Sequence, residues 1–322
     1  MAAANERLRI WCNFPFYDDL QRELRQQTAS HHLTLVDSSV TAPSPEEPAP
    51  QILLGQPDVD YLLAHELRWV ELTSAGYTAY DRDDLRESFR KRGIVLTNTS
   101  SVFDEACAQH LLAMILALAR ELPRCLDNQR GAREWLHDET RRGRRLLLND
   151  QTAILYGFGA IARRLVELLR PLAMDLIGVR RHPQADEGIR MVTPNEADEL
   201  LEQADHIIDI LPASEATKHF FDGARFAACK HGVRFYNIGR GTTVDQEALL
   251  AALRSGQVEA AYLDVTDPEP LPPAHPLWDA PNCFITPHIA GTHDREQDQL
   301  LDHFLENLAA FESSAALIDR VI

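Results

Sequence analysis

The stretch Ala153-Ile-Leu-Tyr-Gly-Phe-Gly-Ala-Ile-Ala162 decides the fold. Four apolar residues run directly into Gly157 and Gly159, and a helix-compatible stretch begins at Ala160. A strand, a tight glycine turn and a helix in this order form a cradle in which free helix amides meet a dinucleotide pyrophosphate. Gly157 permits the turn and Gly159 lets the backbone approach the phosphates. The stretch therefore predicts a dinucleotide site, with a purely structural turn as the alternative.

The same alternation of apolar runs and helix-compatible stretches extends to both sides of this turn. Before it, we predict strands at residues 8–11, 33–36, 52–54, 69–72 and 94–96. From the turn onwards, we predict strands at 153–156, 175–179, 207–210, 234–238, 260–264 and 284–286, and helices from 160 and over 246–255 and 294–313. Strands separated by helices pair in parallel through right-handed crossovers. The pattern predicts an α/β protein whose doubly wound parallel sheet binds its ligand at the carboxyl edge.

One long apolar helix is predicted over residues 104–122, where apolar residues recur at helical spacing too densely for a solvated face. We expect Pro123 to end this helix. Its most apolar run, residues 111–119, is about half the roughly 20 residues that span a bilayer. We therefore interpret it as a helix buried between two domains and predict no membrane segment.

Length, charge and cysteine usage exclude several classes of protein. At 322 residues the chain fits two domains of ordinary size. Its formal charge of −17 repels nucleic acid and anionic membrane surfaces, so we predict neither as a partner. The first residues lack the features of a secretory signal, which favours a cytoplasmic location. No metal site is predicted, and the scattered cysteines are expected to be free thiols: Cys12, Cys107, Cys125, Cys229 and Cys283.

Three side chains with complementary chemistry follow predicted strands of the second half. Histidine side chains titrate near neutrality, so that an imidazole such as that of His288 can donate a proton to a carbonyl oxygen. Glu269 lies between two prolines, and a carboxylate that is hydrogen-bonded to an imidazole fixes the tautomer of the ring. Arg240, between two glycines, can make a bidentate contact with a substrate carboxylate. Each is common alone; together they predict an active site for hydride and proton transfer.

The choice of cofactor is read from the end of the next predicted strand. An NAD site usually has an acidic residue about 20 positions after the first glycine, where it binds the ribose 2′-hydroxyl. Here Arg180 and Arg181 follow the strand. Because two guanidiniums attract a 2′-phosphate, we predict NADP(H) as the preferred cofactor and NAD(H) as the alternative. A solvated strand end is the competing explanation of the two arginines.

In these motifs the chain resembles the D-isomer-specific 2-hydroxyacid dehydrogenases. The resemblance is carried by residues 237–249, 261–265, 269–271 and 281–288, and it is more diffuse in the first hundred residues. It implies a Rossmann cofactor domain of residues 101–292, inserted in a smaller flavodoxin-like substrate domain of residues 1–100 and 293–322. It also implies a homodimer joined through the cofactor domains.

The resemblance extends to individual residues. It implies that Arg240 anchors the substrate carboxylate and carbonyl, that His288 is the proton donor and acceptor, and that Glu269 is the partner of His288. It implies that Asp264 binds the carboxamide of the nicotinamide. It also implies that the loop of Ser74, Ala75 and Gly76 binds the substrate carboxylate through its backbone amides. With the glycine turn, the predicted cofactor contacts are Gly157, Phe158, Gly159, Ala160, Ile161, Arg180, Arg181, Leu211, Pro212, Ile238 and Asp264.

The predicted function is the reduction of a small 2-oxo acid, such as glyoxylate or hydroxypyruvate, to a D-2-hydroxy acid. Two alternatives stay open: a D-3-phosphoglycerate dehydrogenase-like enzyme, and a dinucleotide-sensing binding protein like the corepressors that share this fold. A formate dehydrogenase is disfavoured, because that relative has glutamine where Glu269 stands. The sequence leaves open which 2-oxo acid is the substrate.

Overall fold

The computed structural model describes residues 7–135, 146–184 and 187–322. The chain divides into two compact units. The first unit consists of Met1–Phe103 and His293–Ile322, and the second of Asp104–Thr292. The assignment of the substrate to the first unit and the cofactor to the second remains a prediction.

The first unit is built on a five-stranded parallel sheet. Its strands are β1 (Arg9–Cys12), β2 (His32–Leu35), β3 (Ile52–Gly55), β4 (Trp69–Leu72) and β5 (Val95–Thr97). Its helices are α1 (Asp18–Gln27), α2 (Val59–Ala64), α3 (Asp83–Arg92) and, from the end of the chain, α10 (Glu296–Glu312). The strand order β2-β1-β3-β4-β5 is the flavodoxin-like order, as predicted.

Helices cover both faces of this sheet, and the last helix completes one of the two cores. On one face, Leu24 of α1 and Phe304 of α10 pack with Trp69, whose ring stacks on that of Phe304 at 5.3 Å. On the other face, Leu62 of α2 and Phe89 of α3 are fully buried. The C-terminal residues belong to this unit because α10 supplies part of its hydrophobic core.

Two helices, α4 (Ser100–Ala119) and α5 (Leu122–Arg130), follow β5. The expectation that Pro123 ends the long helix was wrong: α4 ends at Ala119, Glu121 adopts a left-handed φ of 54°, and Pro123 lies in the first turn of α5. A proline is tolerated there because the first amides of a helix have no intrahelical partner. The polar stretch that follows includes residues 136–145, which lie outside the described residues.

Helix α4 is the one described helix that is long and apolar enough, by length and composition alone, to cross a membrane. Ala108, Leu111 and Ile115 are fully buried within the protein. A helix that packs into a protein core passes the same test of length and composition, so the test alone is weak evidence for a membrane span.

The second unit is built on a seven-stranded parallel sheet. Its strands are β6 (Thr152–Tyr156), β7 (Asp175–Val179), β8 (Arg190–Val192), β9 (His206–Asp209), β10 (Val233–Asn237), β11 (Val258–Leu263) and β12 (Cys283–Ile285). Its further helices are α6 (Ala160–Leu169), α7 (Pro194–Asp198), α8 (Gly223–Ala228) and α9 (Gln246–Ser255). The strand β8, at one edge of the sheet, is absent from the sequence-based prediction.

The strand order in this sheet is β12-β11-β10-β9-β6-β7-β8. Counted from β6, this is the doubly wound Rossmann order with one additional strand, and the order reverses between β6 and β9. Ligands of such sheets bind beyond the carboxyl ends of the strands at this reversal. The turn at Gly157 follows β6 and therefore lies at this switch point, on the carboxyl edge where the sequence predicts the ligand.

A buried network of charges holds the first unit together. Glu71 on β4 is fully buried, and its carboxylate accepts hydrogen bonds from Asn307 Nδ2 at 2.7 Å and Thr97 Oγ1 at 3.1 Å. His303 on α10 bridges two carboxylates, with Nδ1 at 3.1 Å from Glu71 and Nε2 at 3.3 Å from Asp319. Burial alone would lower the pKa of His303, but the bonds and charges of Asp319 and Glu71 outweigh it and raise the pKa to about 9.

We predict that this network makes stability depend on pH. Because the folded pKa of His303 is raised, its contribution is fully present below the unfolded value of about 6.5 and is lost as pH rises through about 9. The free energy of unfolding should fall by on the order of 2–3 kcal/mol over this window. His303→Gln should remove this slope in urea unfolding measured at several pH values. The exposed His65→Gln is the control, and a slope that survives His303→Gln would contradict the assignment.

Candidate active site

The predicted site residues of the second unit follow neighbouring strands at one edge of its sheet. Gly157 follows β6, Leu211 lies two residues after β9, Arg240 lies three residues after β10, Asp264 follows β11 and His288 lies three residues after β12. These five strands are adjacent and parallel, so their carboxyl ends meet at the same edge. The pairing of the strands thus brings residues that are far apart in the sequence to the same edge of the sheet.

The glycine turn has the backbone geometry that a dinucleotide cradle requires. Gly157 has a φ of +93°, and a Cβ there would lie 2.6 Å from the carbonyl oxygen of Ile210, so only glycine fits. A Cβ on Gly159 would meet nothing within 4 Å, which leaves open space beside the N-terminus of α6. Gly159 caps α6 without a side-chain bond, and the first helix amides have no intrahelical partner. The turn therefore fits a pyrophosphate.

The remaining predicted cofactor residues differ in their exposure. Ala160 and Ile161 are half-buried at the start of α6; in the loop after β9, Leu211 is half-buried and Pro212 is exposed. Ile238 is buried, and its amide donates to the carbonyl oxygen of Asp209. The ring of Phe158 is also buried, so this residue would offer a ligand its backbone rather than its ring.

The two arginines after β7 have different environments. Arg181 is exposed, whereas Arg180 is half-buried with Nη1 at 2.6 Å from Glu187 Oε1. The same carboxylate accepts two bonds from Arg163, at 2.9 and 3.0 Å. The bonds from Arg163, followed by those from Arg180, lower the pKa of Glu187. The carboxylate of Glu187 therefore competes for Arg180 with the 2′-phosphate that the sequence-based prediction assigns to this arginine. The prediction did not include this competing carboxylate.

His288 and Glu269 form a direct pair. His288 Nδ1 lies 2.9 Å from Glu269 Oε2, and the other oxygen, Oε1, accepts the amide of Thr266 at 2.9 Å. The His288 side chain is 51% exposed, so that the ring is accessible to a ligand. Because Nδ1 faces a carboxylate, the ring presents Nε2 away from that carboxylate. The structure therefore brings together the imidazole and the carboxylate that the sequence predicts as partners.

A buried aspartate holds the backbone around His288, whose φ of 53° is left-handed and costly for a residue with a side chain. Asp264 Oδ1 accepts the amide of Ile289 at 2.9 Å and the hydroxyl of Thr286 at 2.6 Å, and Oδ2 accepts the amide of Ala290 at 2.9 Å. The amide of His288 donates to the Asp264 carbonyl at 2.8 Å. Asp264 thus organises the loop that carries His288, a role that the sequence did not reveal; its contact with a nicotinamide remains a prediction.

Arg240 lies in a loop that contacts the Glu269 loop. A Cβ on Gly241 would lie 2.0 Å from the backbone of Thr266, the residue whose amide donates to Glu269. The two loops therefore touch backbone to backbone, and only glycine permits this approach. Arg240 is half-buried, and Nη1 of its guanidinium donates to the carbonyl oxygen of Gly239 at 2.6 Å.

The predicted substrate loop belongs to the first unit and follows β4. Its carbonyl oxygens are held in place: that of Ser74 accepts the Thr99 amide, that of Ala75 accepts Asn98 Nδ2, and that of Gly76 accepts the Ser74 hydroxyl. Within the described residues, the amides of Ala75 and Gly76 donate no hydrogen bond. Half-buried free amides suit an anion.

The Rossmann strand order, with its glycine turn at the switch point, defines a dinucleotide-binding α/β protein, and the pair at the same edge adds a group for proton transfer. Residues 112–290 match the family described as "D-isomer specific 2-hydroxyacid dehydrogenase, NAD binding domain". The chain belongs to this family, as the sequence motifs predict. It is an NAD(P)-dependent D-2-hydroxyacid dehydrogenase.

Comparisons with individual proteins agree with this assignment. Glyoxylate/hydroxypyruvate reductase B of Klebsiella pneumoniae is 34% identical over 247 residues, which are 75% of this chain and 76% of the relative. The enzyme of the same name from Escherichia fergusonii is 31% identical over 290 residues, or 86% and 88% of the two chains. A D-isomer specific 2-hydroxyacid dehydrogenase from Xanthobacter autotrophicus Py2, solved with NADPH and MES, is 25% identical with a TM-score of 0.82 over 98% of both chains.

The glycine turn generates a prediction that separates binding from folding. Gly159→Ala should raise the NADPH dissociation constant at least about ten-fold, because the new methyl occupies the approach of the pyrophosphate. Stability should change by less than about 1 kcal/mol, because the Cβ meets no protein atom. Fluorescence titration with NADPH and thermal unfolding measure the two effects. Gly223→Ala, at the start of α8, is the control; an unchanged dissociation constant for Gly159→Ala would argue against the cradle.

Proposed function

We propose that this enzyme reduces small 2-oxo acids, such as glyoxylate or hydroxypyruvate, to D-2-hydroxy acids with NADPH. The observation that carries the proposal is the 2.9 Å contact between His288 and Glu269, at the same sheet edge as the glycine turn. Such a pair can hold a proton beside a substrate carbonyl. The names of the two relatives, glyoxylate/hydroxypyruvate reductase B, support this substrate class.

We propose a role for each of the side chains of the site. Glu269 keeps a proton on His288 Nδ1 and orients the ring, so that Nε2 delivers its proton to the carbonyl oxygen of the substrate as that oxygen gains charge. Arg240 binds the substrate carboxylate through its fork of donors and polarises the adjacent carbonyl. In the first unit, the amides of Ala75 and Gly76, which donate no hydrogen bond among the described residues, are proposed to bind a carboxylate. A bound NAD(P)H supplies the hydride to the carbonyl carbon.

The preference for NADPH is proposed from Arg180 and Arg181 at the end of β7. Their guanidiniums suit the 2′-phosphate, and the Xanthobacter relative was solved with NADPH. Glu187 opposes this preference, because it already pairs with Arg180 and Arg163. We propose that the phosphate shares Arg180 with Glu187 and that Arg181, which is exposed, makes the second contact.

A cytoplasmic homodimer is the proposed working form. Leu122 and Leu126 lie one turn apart on α5 and are 50% and 49% exposed, and Leu147 is 71% exposed. Apolar side chains that cluster on a surface favour contact with a partner, and a second copy of the chain is the partner that the family resemblance implies. The free thiols of all five cysteines suit a reducing compartment.

The substrate proposal is tested with a panel of 2-oxo acids, in which glyoxylate and hydroxypyruvate should give the highest kcat/KM.

His288→Ala should lower kcat on the order of a hundred- to ten-thousand-fold and leave the NADPH dissociation constant unchanged, because the ring acts on the substrate. Glu269→Gln should also lower kcat, because its one amide oxygen cannot accept both the Nδ1 hydrogen and the Thr266 amide as the two carboxylate oxygens do. Arg240→Lys should raise KM and lower kcat together.

The exposed His231→Ala serves as the control for the loss of a histidine. Turnover that survives His288→Ala would remove the proposed proton donor. A panel in which no 2-oxo acid is reduced, while NADPH still binds, would favour a dinucleotide-sensing binding protein instead.

The cofactor proposal has its own test. KM for NADPH should be lower than KM for NADH, and Glu187→Gln should lower KM for NADPH by up to about five-fold, because it releases Arg180 from an ion pair. KM for NADH should not change, because NADH lacks the 2′-phosphate. Glu199→Gln is a control on the exposed surface. A wild-type preference for NADH would refute the assignment.

A further inference from the structure

A buried aspartate outside the predicted site lies beneath the Arg240 loop. Asp209 is the last residue of β9 and is fully buried. Its register partners are Tyr156 on β6 and Asn237 on β10. It is an acidic side chain in the interior of the sheet, at the edge where the active-site loops begin.

The contacts of Asp209 lead to the backbone of Arg240 in two steps. Asp209 Oδ2 lies 2.6 Å from Thr243 Oγ1, and the same hydroxyl oxygen lies 2.6 Å from the carbonyl oxygen of Arg240. The other carboxyl oxygen, Oδ1, accepts the amide of Leu211 at 3.0 Å. The Arg240 carbonyl also accepts Asn237 Nδ2 at 3.0 Å.

Counting hydrogens decides which groups donate. A threonine hydroxyl has one hydrogen, and two oxygens at 2.6 Å from it both require a hydrogen in between. A carbonyl oxygen can only accept, so the hydroxyl hydrogen of Thr243 points to Arg240. The hydrogen between Thr243 and Asp209 must then come from the carboxyl group.

The surroundings of Asp209 favour the neutral acid. The side chains that face it are Tyr156, Asn237 and Thr243, and within the described residues no cation pairs with it. The guanidinium of Arg240 donates instead to the carbonyl oxygen of Gly239. Burial raises the pKa of Asp209 to about 7, against the opposing effect of its hydrogen bonds with Thr243 and Leu211. Burial likewise raises the pKa of Tyr156, so that this neighbour carries no charge in the same range.

We propose that Asp209 is a protonated acid whose hydrogen bond to Thr243 fixes the Arg240 loop, so that it acts as a positioning residue for substrate binding. The inference rests on the proposed role of Arg240 as the anchor of the substrate carboxylate. When Asp209 loses its proton, the Thr243 hydroxyl turns to the carboxylate and the Arg240 carbonyl loses one donor. Substrate binding then weakens on the alkaline side.

The kinetic test compares pH profiles. In the wild type, KM for glyoxylate should rise about five-fold between about pH 6 and about pH 8.5, the effect of one hydrogen bond. Asp209→Asn should remove this rise, because its amide donates to Thr243 as the acid does, accepts the Leu211 amide and cannot ionise. Thr243→Val should raise KM at every pH without the pH-dependent step. Any pH dependence that arises elsewhere in the active site is common to all variants and cancels in the comparison.

A spectroscopic test does not depend on turnover. Infrared spectra of the wild-type protein near pH 6 should contain a carbonyl stretching band of a protonated carboxyl group, which fades as pH rises through about 7. Asp209→Asn should lack this band. Asp205→Asn is the matched control and should keep it, because Asp205 is paired with Lys230 at 2.7 Å.

The outcomes separate this inference from the proposed function. A missing band in the wild type, or an alkaline rise in KM that persists in Asp209→Asn, would overturn the protonated acid. If the band behaves as expected while Arg240→Lys leaves KM unchanged, the proposed anchor fails and with it the positioning role, whereas the protonation of Asp209 stands on the spectrum.

Discussion

Parallel pairing of strands β12, β11, β10, β9 and β6 is the constraint on which the candidate site depends. Because every strand points the same way, each loop that leaves a carboxyl end arrives at one edge. The loops can then approach closely where glycine removes the side chain, as at Gly157 and Gly241. An imidazole and a carboxylate from different loops thereby meet at hydrogen-bonding distance without any direct link in the sequence.

Buried acids organise this edge and the core of the first unit, and each does so in a different way. Asp264 uses both oxygens to accept hydrogen bonds from the His288 loop. Glu71 is balanced by His303, whose raised pKa keeps a positive charge beside it. Asp209 has no cation among the described residues, which is why we assign it a proton. A buried carboxyl group can thus be stabilised by amide donors, by a neighbouring cation or by its own protonation.

Much of the fold could be predicted from the sequence, because apolar runs of strand length mark buried parallel strands. The predicted strand 175–179 and helix 246–255 match β7 and α9 residue for residue. The strand β8 was missed because it is a short edge strand that begins with an exposed arginine. Pro123 was misread because a proline after a helix and a proline in the first turn of the next helix look alike in sequence.

The site was predictable in part. The His288–Glu269 pair was indicated by residue type and by family resemblance, but the carboxylate that binds Arg180 was not. Glu187 lies in a loop without a motif, and only the fold carries it to Arg180 and Arg163. Asp209 could have been noticed in the sequence, because it is the single acidic residue in the apolar run 207–211. Its link to Thr243 depends on the turn after β10, which no local pattern specifies.

The return of α10 to the first unit has a consequence for biosynthesis. Phe304 and its neighbours complete a core that begins with β1, so the ribosome must translate the whole second unit before the first can close its hydrophobic face. The second unit is continuous and can fold while the chain is still being made. We expect the N-terminal segment to remain exposed during this interval and to be the part of the nascent chain that chaperones bind.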